Sequence, residues 1–143
     1  MSIGFEHEVA QLLSRGVEEA AAWINTVDGE FESRFGSDIS RWKEALNFEY
    51  GCWCGPGNRC SEDVDAMDGC CHQHDLAYDA LGLDFDTMWS PVAIVKAHSA
   101  DQALYDCVSS SAEPTDDEGR DYRAILLDAF KARLEIAGWL KDL

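Results

Sequence analysis

Five of the chain's six cysteines fall between positions 52 and 71, and the sixth is Cys107. An even, clustered set of this kind reads as three disulfides formed in an oxidising compartment, and so many short cross-links leave the middle of the chain few ways to fold. The competing reading is zinc, whose usual ligands are Cys and His. The spacings Cys52-Trp-Cys54 and Cys70-Cys71 place neighbouring thiols too close for the familiar two-residue gap, which favours disulfides.

The stretch Asp68-Gly-Cys-Cys-His-Gln-His-Asp-Leu-Ala-Tyr78 carries two of these cysteines. As a helix it stacks Cys70, His74 and Tyr78 on one face, with Cys71 and Asp75 on a face about 100° away. An imidazole and a carboxylate, each one turn beyond a cysteine, are thereby aimed at adjacent points. Taken alone, the stretch could equally be a buried structural helix with solvated histidines. Before it lies Tyr50-Gly-Cys-Trp-Cys-Gly-Pro-Gly-Asn58, which suits neither helix nor regular strand. Its glycines permit positive φ, and such a loop turns carbonyl oxygens toward a hard cation such as calcium. A tight disulfide-bearing turn would explain the same glycines.

The remaining chain reads as helices. Apolar residues from Phe5 to Thr26 follow helical spacing, Asp28-Gly29 reads as a turn, and a shorter helix is expected from Ser37 to Leu46, capped by Ser37 or Asp38. Asp63 or Asp65 should open the central helix and Gly82 end it. Ser90-Pro91 is a good start for a second long helix reaching Val108, on which His98, Asp101 and Tyr105 lie close together. The segment from Thr115 or Asp116 to Leu140 is amphipathic, with Tyr122, Ile125, Leu126, Ala129, Phe130, Leu134 and Ala137 as its stripe. The expected fold is all-α in one domain over 1–143: N-terminal helices (1–49), loop and helix pair (50–108) and C-terminal helix (115–143).

Charge narrows the function classes. A net −17 argues against nucleic acid as a partner and predicts repulsion from anionic lipid headgroups, hence a preference for zwitterionic interfaces. No stretch is apolar enough for a transmembrane segment. Residues 1–23 mix Glu and Arg among apolar residues and do not read as a secretory leader, which leaves the route to an oxidising compartment open.

Loop, central helix and second helix together resemble the secreted phospholipase A2 family. The run from Tyr50 to Gly57 is similar to that family's calcium loop. The run from Asp65 to Asp75 is similar to its active-site helix (D-x-C-C-x-x-H-D, with a tyrosine four residues after the histidine), and Asp101 matches its second catalytic acid. The resemblance implies that His74 is the general base, oriented by Asp101, with Tyr78 bonded to that acid. It implies that calcium is the cofactor, held by the carbonyls of Trp53, Gly55 and Gly57 and the carboxylate of Asp75, with the Gly55 N–H assisting at the oxyanion. It further implies a phospholipid substrate at a membrane or micelle interface, cleaved at the sn-2 ester by a secreted, extracellular monomer. The pairings that go with it are Cys54–Cys71, Cys70–Cys107 and, by remainder, Cys52–Cys60.

The chain departs from the family in several places. Ala77 and Ala100 stand where another family bridge lies, and only 22 residues separate Tyr78 from Asp101, so the family's β-wing is expected to be missing. Trp53, Trp89 and Trp139 are candidates for lipid contact, whereas His72 and His98 are expected to be solvated or structural, and His7 carries no signal. The alternative is an inactive phospholipase-like module acting as a toxin subunit or ligand carrier, but such modules often lack the acid or base that is present here. The disulfide reading predicts an intact mass lower by six hydrogens than that of the reduced chain; free thiols with bound zinc would refute it.

Overall fold

The computed structural model describes residues 17–142, with side chains from residue 25 onward. Among the described residues five helices follow one another: α1 (Val17–Ala45), α2 (Ala66–Leu81), α3 (Pro91–Lys96), α4 (His98–Ser110) and α5 (Asp117–Lys141). Among the described residues the only extended pairing is an isolated bridge between Tyr50 and Cys54, so no β-wing lies between α2 and α4. The fold is all-α and cross-linked by Cys52–Cys60, Cys54–Cys71 and Cys70–Cys107. No described cysteine is free, which closes the zinc reading.

The caps explain where the central helix begins and ends. Asp65 sits in extended backbone and its carboxylate accepts the Asp68 N–H at 2.8 Å, satisfying one of the amides a helix start leaves open. At the other end Gly82 adopts the left-handed conformation (φ 71°), and the Leu83 N–H donates to the Tyr78 carbonyl at 2.9 Å. Ser90 and Pro91 open α3, and the Asp116 carboxylate caps α5 through the Gly119 N–H at 2.7 Å. All three starts agree with the expectations from sequence.

Two boundaries differ. The structure carries α1 straight through Asp28-Gly29, so there is no turn there and no separate helix capped at Ser37 or Asp38. The reason is packing: Val27 and Phe31 are buried, and Phe35, Ile39 and Trp42 continue one stripe that packs with Ile136, Ala137 and Leu140 of α5. That continuous face outweighs the modest cost of a helical glycine. The part of the expected Phe5-to-Thr26 helix before Val17 lies outside the described residues.

The long helix expected from Ser90 to Val108 is broken at Ala97, whose backbone (φ −87°, ψ 1°) leaves the helical region. No proline or glycine marks the break. It lets each piece serve a different core: Ile94 and Val95 of α3 join the cluster against α1 and α5, while Leu104 and Val108 of α4 face α2 and α5. Ala97 itself is fully buried at the junction. Helix α4 then runs antiparallel to α2, clamped by the Cys70–Cys107 bridge with a Cα–Cα distance of 5.8 Å.

Gly29 offers a direct check of the continuous α1. It is exposed, and a Cβ there would meet nothing within 4 Å. Gly29→Ala should therefore stabilise the protein by about 0.5–1 kcal/mol in urea unfolding. A turn at this point would make the same change neutral or destabilising.

Candidate active site

Helix α2 sets the site by repeating one divergence twice. Cys70 and Cys71 point about 100° apart, one bridging to α4 and the other to the loop. One turn on, His74 faces α4 and Asp75 faces the loop. His74 Nε2 lies 2.9 Å from Asp101 Oδ1, and the Tyr78 hydroxyl donates to that same oxygen at 2.5 Å. Because an ionised carboxylate only accepts, Nε2 carries the proton and Nδ1 keeps its lone pair.

Asp101 is 1% exposed, as is Arg133 of α5, whose Nε donates to Asp101 Oδ2 at 2.8 Å. The guanidinium also donates through Nη1 to the Met88 carbonyl at 2.8 Å and through Nη2 to the Tyr78 hydroxyl oxygen at 3.1 Å. Burial alone would raise the Asp101 pKa, but the His74 hydrogen bond and the Arg133 charge more than offset it and hold the carboxyl below the usual range. Burial lowers the His74 pKa despite the neighbouring carboxylate, so the imidazole is neutral. Its ring is held between Tyr78 at 4.1 Å and the edge-on ring of Phe130 at 5.2 Å.

The loop over residues 50–58 is built on a second buried carboxylate. Asp68 accepts the N–H groups of Cys52 at 2.8 Å, Trp53 at 2.7 Å and Val64 at 2.9 Å. From the opposite side the Asn58 amide donates to the carbonyls of Tyr50, Gly51 and Cys54. The Tyr50 hydroxyl donates to the capping Asp65, tying the loop to the start of α2. Gly55 (φ 108°) has no substitute, since a Cβ would come within 2.4 Å of the Phe48 carbonyl oxygen.

These bonds leave particular oxygens over. Among the described residues the carbonyls of Trp53 and Gly57 accept no hydrogen bond, and that of Gly55 has only the Asn58 N–H at 3.4 Å. All three residues border one cavity of about 300 Å³, together with His74 and Asp75. Burial pushes the Asp75 carboxyl up to about 7, with Arg59 pulling the other way. Neutral carbonyls plus one partly desolvated carboxylate form an all-oxygen set that fits calcium rather than zinc. Leu46, Leu83, Phe85, Met88, Leu126 and Phe130 give the rest of the cavity an apolar wall. Leu46, just past the end of α1, is that helix's contribution to the wall.

Of the tryptophans expected at lipid, Trp89 is corrected: it is buried, and its Nε1 donates to the Phe85 carbonyl at 2.6 Å. Trp139 is half-buried, packed edge-on against Phe35 and covered by Arg34. Trp53 lies at the cavity, stacked on His72 at 3.7 Å, while His72 Nδ1 bonds Asp63 at 3.0 Å, a structural role as expected. His98 pairs with Lys141. His7 lies outside the described residues. Arg133 was not singled out from sequence, although its position three residues after Phe130 and four before Ala137 puts a cation on the buried face of α5.

The fold and site together define a class of small, disulfide-linked helical proteins in which a His–carboxylate pair and a glycine-rich loop border one cavity. The phospholipase A2 family model matches residues 31–118, more than half of the chain, and the chain belongs to that family. It is 35% identical over 60 residues to the acidic phospholipase A2 of Bitis gabonica, covering 41% of this chain and 49% of that protein. It is 50% identical over 32 residues to phospholipase A2 A2-actitoxin-Cgg2a of Condylactis gigantea, covering 22% of this chain and 26% of that one. The chain thus spans about half the length, or less, of the curated relatives it matches. The fold is similar to the solved structure of rice (Oryza sativa) phospholipase A2, with a TM-score of 0.50 and 17% identity over 69% of this chain and 90% of that one.

The buried Asp68 is the loop's anchor, and Asp68→Asn sets an amide donor where a backbone N–H must be accepted. The change should cost about 1–3 kcal/mol in urea unfolding, with α2 retained by circular dichroism. Unchanged stability would show that these three bonds do not hold the loop.

Proposed function

We propose that the chain is a calcium-dependent phospholipase A2 that hydrolyses the sn-2 ester of glycerophospholipids to a fatty acid and a lysophospholipid. The observation that carries the reading is the shared cavity: His74, the Trp53, Gly55 and Gly57 of the loop, and Asp75 all border it, beside an apolar wall. In this reading the carbonyls of Trp53, Gly55 and Gly57 and the Asp75 carboxylate would hold the ion. When bound, calcium supplies Lewis-acid polarisation of the ester carbonyl and stabilises the charge developing on its oxygen.

The chain's own residues do the rest. His74 Nδ1, with its neutral ring, takes a proton from the attacking water. Asp101 Oδ1 accepts the hydrogen bond from Nε2–H throughout, which keeps the ring in one tautomer and stabilises the imidazolium as it forms. Tyr78 holds that carboxylate oxygen in place, and the Gly55 N–H is a further donor toward the oxyanion. The apolar wall takes up an acyl chain and excludes bulk water from the reacting bond. Three disulfides and membership of this family support an extracellular setting, and in this reading the chain works as a monomer at a membrane or micelle interface.

Fatty-acid release from mixed phospholipid micelles should appear with calcium and vanish with a chelator. His74→Gln should lower turnover by about 10²- to 10⁴-fold while leaving calcium binding by calorimetry intact. Turnover retained in that variant rejects the base assignment. No release by the unaltered protein in either condition would mark a binding module instead.

A further inference from the structure

Arg133 is the one charged side chain of α5 among the fully buried residues, and it lies past residue 118, where the family match ends. Its fork spans three parts of the site at once: Asp101 of α4, the Tyr78 hydroxyl of α2 and the Met88 carbonyl of the connection between them. The rings of Trp89 and Phe130, each 5.5 Å away, flank the guanidinium. Phe130, one turn earlier on α5, also meets the His74 ring edge-on. One turn of the C-terminal helix therefore touches both members of the His–Asp pair.

We propose that Arg133 is a positioning residue of the hydrolytic pair: by taking Asp101 Oδ2, it keeps Oδ1 turned toward His74 Nε2 and makes α5 an integral part of the site. The inference rests on the reading of His74 and Asp101 given above. Stability alone does not call for a cation here, because well-packed apolar side chains commonly replace buried ion pairs at no loss. The division of labour on Asp101 does call for one. Its two oxygens face different partners, and only a planar fork can hold Oδ2, the Tyr78 oxygen and a carbonyl at once while leaving Oδ1 to the ring and the Tyr78 hydroxyl. A lysine would supply the charge without that geometry.

The test is Arg133→Lys in the full chain, alongside Arg133→Met. Each is checked for folding by circular dichroism and Tm, then assayed with calcium on dispersed short-chain phosphatidylcholine. The folded lysine variant should lose about 10²-fold in kcat with KM unchanged, the signature of a displaced reacting group rather than of lost substrate binding. Wild-type kcat in a folded Lys or Met variant overturns the proposal. Nitrogen–proton correlation spectra of the His74 ring give a readout independent of turnover. The unaltered protein should show the ring held as Nε2–H and a slowly exchanging Arg133 Nε–H, and the lysine variant a mixture of tautomers. A ring not held as Nε2–H, or an Arg133 Nε–H that exchanges freely, overturns the inference without any variant. If the unaltered protein releases no fatty acid yet shows both signals, the functional reading has failed and the positioning role stands.

Discussion

Two adjacent cysteines on one helix are the constraint on which the site depends. Neighbours on a helix diverge by about 100°, so Cys70 and Cys71 cannot bridge to the same place. One fastens α4 and the other fastens the loop, and the same divergence a turn later delivers His74 to α4 and Asp75 to the loop. The Cys70 bridge sets Asp101 against His74, and the Cys54 bridge leaves Asp75 and the loop bordering one cavity. Because the Cα–Cα distances are 5.1 and 5.8 Å, the tethered backbones have little room to drift.

Around this frame the chain buries two carboxylates and compensates them by different means. Asp68 is surrounded by backbone: three N–H groups from the loop and the entry to α2 converge on it, so its charge organises main chain. Asp101 is surrounded by side chains, with His74 and Tyr78 on one oxygen and Arg133 on the other. A buried carboxylate is tolerated when hydrogen bonds compensate it, and each of these acids accepts three. The first carboxylate shapes the loop in which the Trp53 and Gly57 carbonyl oxygens remain unengaged. The second holds the imidazole in one tautomer, while burial keeps that ring neutral.

Much of this was legible in the residues. Asp65, Gly82, Ser90-Pro91 and Asp116 are strong local signals, because a cap depends on a few neighbouring atoms whatever the rest of the chain does. The glycine-rich loop and the pairing of all six cysteines were also readable, the latter through the family resemblance. What misled was local chemistry set against distant packing. Asp28-Gly29 is a common turn pair, yet the stripe from Val27 to Trp42 holds it helical against α5. Ala97 carries no breaking signal, yet two cores on different sides of it bend the chain there. Trp89 resembled a lipid anchor, and instead lies buried beside Arg133.

The sequence by itself determined many of the local conformations and the candidate site residues: most helix caps, a loop that only glycine permits, and an imidazole one turn past a cysteine. These depend on interactions within a few residues, and those are written in order along the chain. Only the tertiary structure decided what completes the site. Asp101 and Arg133 are 32 residues apart in sequence and share no local pattern, and they meet because α5 packs across α4. A cation on an otherwise apolar face shows that something must lie opposite it, but which carboxylate, and which of its two oxygens, is set by how the helices cross.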